Sequence, residues 1–218
     1  MNYDTFYNLF LTEMPQRAPG INGFQAQLEM IQENLDYDVD VISVSAGVFK
    51  IDTDEQTTYW VGNKDATTVS IIVDTTIDGN FCKVVLSSKN PTLLPGSKPY
   101  ASDLYLIIKE DIKPYHLVFT SDELLSDDGE RLWKGLIKRG NPVSVYDTST
   151  HKYVLSPVDN EQDLTNYIGG PDKRKYVFIL SESQCEQRGI IGSFAIMEIK
   201  RNAGYPLFDH LMNKRKQC

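Results

Sequence analysis

The chain has 218 residues, 41% of them hydrophobic and 11% aromatic, with 22 Lys+Arg against 30 Asp+Glu and a formal charge of −8. That composition supplies a packed core and excludes general disorder, and the negative balance argues against indiscriminate nucleic-acid binding. The charge is uneven: residues 1–80 hold 13 acidic and 3 basic side chains, and residues 81–218 hold 17 and 19. Met1-Asn2-Tyr3-Asp4 lacks the basic and then apolar run of a secretory signal. The longest uncharged apolar-rich run, Gly189 to Met197, is far short of the roughly 20 residues a membrane helix needs, so no membrane partner is expected. Cys82, Cys185 and Cys218 form no metal-binding spacing and read as free thiols in a reducing, cytoplasmic setting.

Residues 3–11 place Tyr3, Phe6, Tyr7, Phe10 and Leu11 on one helical face. Pro15, Pro19 and Gly20 then break the chain. Residues 22–35 predict a second helix, with Phe24, Leu28, Ile31 and Leu35 on one side and Asn22 as N-cap. The β-branched segment 39–51 predicts a strand, followed by strands over 57–62 and 68–74. Asp78-Gly79-Asn80 signals a turn. Residues 81–88 then read as a strand apolar on both faces for part of its length, as strands inside a sheet are.

The pattern changes at Asn90–Pro99, a loop with three prolines and a glycine. A helix follows over Tyr100–Asp111, capped by Ser97, with Ala101, Leu104, Ile107 and Ile108 on its buried face. A strand is expected over 116–121. Ser126-Asp127-Asp128 starts another helix, whose core face is Leu132, Trp133, Leu136 and Ile137 and which stops at Gly140. Strands 143–147 and 152–156 read as a hairpin. A helical turn over Asp163–Ile168, strands over 175–181 and 192–200, and a short terminal helix complete the chain. The expectation is an α/β (α+β) fold with a mixed, mostly antiparallel central sheet flanked by helices. Residues 1–158 would form the domain, and 159–218 a strand extension packed on it.

This order, with a strand, a Pro/Gly loop, a helix, a strand, a helix and two strands, resembles the Gcn5-related N-acetyltransferase family. The stretch Leu93-Leu94-Pro95-Gly96-Ser97-Lys98-Pro99-Tyr100-Ala101 is similar to that family's pyrophosphate loop, Gln/Arg-x-x-Gly-x-Gly/Ala. Gly96 matches the first glycine, while Leu93 and Lys98 stand where the family has Gln/Arg and a small residue. The run Ser121 to Trp133 also resembles acetyltransferase-like proteins of tailed bacteriophages, some of them virion components. Trp133 stands where the family often has a tyrosine that protonates the cofactor thiolate.

The resemblance implies acetyl-CoA as cofactor and a small-molecule or protein amine as acceptor. Gly96, Ser97, Lys98 and Ala101 would cradle the pyrophosphate at a helix N-terminus, and the backbone near Leu86, Ser87 and Ser88 would orient the thioester carbonyl. A base must take the ammonium proton. Asp74 is the leading candidate, with Asp52 and Glu55 as alternatives, and Tyr146, with Tyr105 beside it, is the candidate proton donor. A non-catalytic member of the same fold would instead bind other virion proteins, in the host cytoplasm or the particle. The third reading is a metal-dependent nuclease, because Pro171-Asp172 followed by Glu198-Ile199-Lys200 resembles the PD-(D/E)xK signature.

Overall fold

The computed structural model describes residues 21–94, 96–122, 125–168 and 173–180. They form an α+β fold of α-helices and mixed, mostly antiparallel β-structure. The expected elements over 3–11 and 192–200 and the terminal helix lie outside the described residues. The chain divides into two units. One takes the chain up to Ile77 and again Lys83–Pro114; the other takes Asp78–Cys82 and the chain from Tyr115 onward.

In the first unit, α1 (Ile21–Asp36) precedes strands β1 (Ile42–Ser45), β2 (Val48–Asp52), β3 (Thr57–Gly62), β4 (Val69–Asp78) and β5 (Phe81–Lys89). The strands are hydrogen-bonded in that order. Helix α1 starts at Ile21, one residue before its expected cap Asn22. The single strand expected over 39–51 is a hairpin, because Gly47 has a φ of +71° and reverses the backbone between β1 and β2. A glycine reaches that region without a Cβ clash. Strand β5 takes an interior place in the strand order, as expected, with Val85 45% exposed on one side.

Strand alternation sorts the side chains of this unit onto two faces. The antiparallel register pairs Ile51 with Thr58, Phe49 with Trp60, Thr58 with Asp74 and Trp60 with Ile72. This face meets α1, where Phe24 and Ile31 join Ile51, Trp60, Val69 and Ile72 in one apolar cluster. Each fully buried large apolar side chain there contributes about 1.5–3 kcal/mol. The opposite face carries Lys50 and Tyr59, paired across β2 and β3. It meets α2 (Ala101–Ile112), where Asp111 Oδ2 accepts from Lys50 Nζ at 2.7 Å and from the Tyr59 hydroxyl at 2.9 Å.

The second unit orders its strands β6 (Val118–Thr120), β9 (Tyr176–Leu180), β7 (Val143–Asp147) and β8 (Lys152–Leu155). Helix α3 (Asp127–Lys138) covers one face. Ser126 caps it by accepting from the Gly129 amide at 3.2 Å, and Gly140, at a φ of +78°, ends it. Trp133 is 1% exposed, with ring centroids 6.4 Å from Phe119 and 5.8 Å from Phe178. The β7–β8 hairpin closes on an Asx turn. Hydrogen bonds from Ser149 and Thr150, joined by the charge of Lys175, hold the Asp147 carboxyl down at about 2.

Two stability predictions follow from the first unit. At the Val61/Gly62 bulge, a Cβ on Gly62 would lie 1.8 Å from the Thr68 carbonyl oxygen. Gly62→Ala therefore lowers unfolding free energy by about 1–3 kcal/mol or more, read from the urea midpoint. Lys50→Met leaves the Asp111 carboxylate without its cation and costs about 3–5 kcal/mol, whereas Lys50→Met combined with Asp111→Leu recovers most of the loss.

Candidate functional site

Asp74 sits on β4, on the face that packs against α1, and is 4% exposed. Register puts Thr58 directly opposite it, and the Thr58 hydroxyl donates to Asp74 Oδ1 at 2.7 Å. Gln27, at the helical position between Phe24 and Ile31, is 2% exposed and donates from Nε2 to Asp74 Oδ2 at 2.7 Å. The Gln27 carbonyl accepts from the Ser88 hydroxyl of β5. Four elements thus converge on one polar chain, Ser88–Gln27–Asp74–Thr58. Gln56 extends it by donating to the Thr58 oxygen at 3.4 Å.

No cation pairs with Asp74 among the described residues. Burial raises its carboxyl above the ordinary value of 3.8, against the Thr58 and Gln27 hydrogen bonds that hold it down. Such a carboxylate binds a proton more readily than an exposed one. Of the alternative bases, Asp52 accepts from the Thr57 hydroxyl at 2.7 Å and lies 3.7 Å from Lys50 Nζ. Glu55 is exposed in the β2–β3 turn. Neither is desolvated as Asp74 is.

The loop after β5 is organised by its own side chains. Asn90 accepts from the Thr92 amide and hydroxyl at 3.0 and 2.7 Å and donates to the Val69 carbonyl at 2.9 Å. The Ser97 amide and hydroxyl donate to the Leu94 carbonyl at 3.0 and 2.7 Å. Ser97 therefore does not cap α2. The N-cap position is Tyr100, which makes no side-chain cap hydrogen bond, and Asp103 lies in the first turn. Lys89, a cation overlooked in the sequence, donates to the Ser97 carbonyl and stands 6.0 Å from the Tyr100 ring centroid. Gly96, at a φ of +74°, and Lys98 are exposed, and Ala101 is half-buried at the start of α2. Leu86, Ser87 and Ser88 are half-buried on β5.

Tyr146 belongs to the second unit. It is 1% exposed, with ring centroids 5.6 Å from Phe81 and 5.3 Å from Tyr153. The neighbouring Tyr153 hydroxyl is buried without a hydrogen-bond partner among the described residues, and burial, aided by Tyr146, pushes it up to about 12. Tyr105 is buried on α2. Asp172, Glu198 and Lys200 of the nuclease-like pattern lie outside the described residues, and among those described no three His, Cys, Asp or Glu side chains gather as metal ligands. A concavity of about 360 Å³ is lined by Leu35, Val41, Asn63, Lys64 and Asp65. Its carboxylate, Asp65, is held below the ordinary range by Thr67 hydrogen bonds and is exposed. It offers no buried acid or base, so the chemistry favours Asp74.

No family model, no curated protein and no solved structure matches this chain. No helix among the described residues is long and apolar enough to cross a membrane.

The raised Asp74 carboxyl carries a linkage sign. Below 3.8 the group is protonated both folded and unfolded. Above that value the unfolded chain releases the proton first, so this contribution to stability is lost as pH rises through the folded value. Asp74→Asn removes that decline. Urea unfolding of both proteins from acid to neutral pH checks it: the difference in stability should change with pH in this direction and then level off.

Proposed function

We propose that the chain is an acetyl-CoA-dependent N-acetyltransferase-like protein acting on an amine acceptor, with Asp74 as the base. One observation carries the reading. A buried carboxylate without a cation is joined through Gln27 to Ser88, on the strand to which the family resemblance gives the thioester contacts. A desolvated carboxylate is suited to hold the ammonium of an acceptor and to take its proton, directly or through one water. The element order β5, loop, α2, β6, α3, β7, β8 supports the same reading.

Acetyl-CoA would supply the acetyl group as a thioester. Gly96 and Lys98, exposed before α2, and the half-buried Ala101 at its start would take its pyrophosphate, whereas the Ser97 amide is engaged by Leu94. The backbone near Leu86, Ser87 and Ser88 would orient the carbonyl. Asp74 would hold the ammonium and accept its proton, leaving the amine lone pair to attack the thioester carbon as its bond to sulfur breaks, with the nitrogen's second proton passing to the departing thiolate.

A second reading has its own support. Trp133 is enclosed by Phe119 and Phe178, and the Ser97 amide is engaged within its loop. Both suit a non-catalytic member of the same fold that binds other proteins, including those of a phage particle. Acetyl-CoA separates the two. At a hundredfold excess over its dissociation constant a cofactor adds about 2.7 kcal/mol, a rise in melting temperature of about 5–10 °C for a chain of this size. Stabilisation together with a loss of acetyl transfer of about 10²–10⁴-fold in Asp74→Asn is the expected result. An unmoved melting temperature would leave the non-catalytic reading.

A further inference from the structure

We infer that Gln27 is a positioning residue that holds Asp74 and Ser88 in one fixed arrangement, its amide oriented by both partners at once. The inference rests on the reading of Asp74 as the base. Its geometry is independent of that reading. An amide has one donating and one accepting end. Here the accepting end takes the Ser88 hydroxyl and the donating end meets Asp74 Oδ2 at 2.7 Å. Reversing the amide would set Oε1 against a carboxylate oxygen and remove the acceptor for Ser88. Both contacts thus favour the same rotamer, and Gln27 is only 2% exposed.

The consequence for Asp74 is directional. With Oδ2 held by Gln27 and Oδ1 by Thr58, each oxygen keeps one further lone pair. An approaching ammonium is thereby confined to the directions these leave open. Gln27 never has to touch the acceptor to do this. It acts through the carboxylate and links the base to the strand that carries Ser88.

Other charged groups are turned elsewhere. On α1, Glu29, Glu33 and Asp36 are exposed. On β2 and β3, Lys50, Asp52 and Tyr59 lie on the opposite face, with Lys50 and Tyr59 engaged by Asp111. On β4, Asp78 lies at the exposed end of the strand. On β5, Lys89 is engaged by Ser97, and Lys83 has interactions of its own.

The test uses Gln27→Met, which keeps the length of the side chain and loses the donor, and Gln27→Glu, which places a second carboxylate beside the first. The ¹³C-carboxyl titration of Asp74 is followed by NMR in the resting full-length protein, and the pH profile of kcat/KM for acetyl transfer is measured in parallel. Gln27→Met should move the Asp74 midpoint upward by about one unit, a tenfold change in its proton affinity, and Gln27→Glu should move it further. The acidic limb of kcat/KM should shift upward by the same amount, with activity recovered at higher pH. An NMR midpoint unchanged in Gln27→Met overturns the inference. A moved midpoint with acetyl transfer untouched in Asp74→Asn retains the positioning contact and rejects Asp74 as the base. If Gln27→Met fails to fold, Gln27→Glu carries the test, and an Asp74 midpoint that stays put beside the second carboxylate overturns the inference.

Discussion

A carboxylate that is 4% exposed and has no cation beside it among the described residues is the constraint around which the first unit is arranged. Desolvating such a group costs several kcal/mol unless hydrogen bonds replace its water. The replacements must come from elsewhere in the fold, because neighbours on one strand point to alternate faces. Thr58 can supply one only if β3 and β4 are in register, and Gln27 only if α1 lies across that face. The register and the helix orientation are therefore tied to a single side chain. A slip of one residue would turn Asp74 toward α2 and present Val73 or Thr75 to Gln27 in its place.

The sheet of this unit separates two kinds of polar burial. Toward α2, Lys50 and Asp111 neutralise one another, with Tyr59 completing the cluster. Toward α1, charge is met only by neutral donors. The first arrangement pins a helix and has no capacity left for a cation. The second leaves a negative charge partly uncompensated, which is the electrostatic condition of a binding or proton-accepting site. Because Lys50 lies on the other face from Asp74, the protein's own lysine does not fill that role.

Much of the element pattern was readable from periodicity and punctuation. Helix α3 has a serine cap, acidic first turn, apolar stripe and terminal glycine in sequence order, and it forms as expected. The hairpin at Gly47 was missed because β-branched residues flank it on both sides and hide the turn. Asp74 was legible as one of three candidate bases, with Asp52 and Glu55, on the central strands or their ends. Gln27 did not, because a glutamine on an amphipathic helix ordinarily faces water, and its partner lies 47 residues away. The Ser97 cap failed because its hydroxyl is satisfied three residues back, at Leu94. Competition between local hydrogen bonds of this kind leaves no trace in residue type. Lys89 was hidden for a similar reason: at a strand end it resembles any solvated lysine.

The allocation of Asp78–Cys82 bears on how this protein can be taken apart. The chain leaves the first unit at Ile77, spends five residues in the second and returns at Lys83. Within those five residues, Phe81 packs on Tyr146, and the Asn80 carbonyl accepts from the Val118 amide at 2.8 Å. A fragment ending at Pro114 would carry an aromatic ring and a carbonyl whose partners had been left on the other fragment. Neither half is a self-contained cassette for recombination, truncation or fusion. The chain passes between the two units three times, so a single cut leaves each fragment with part of the other.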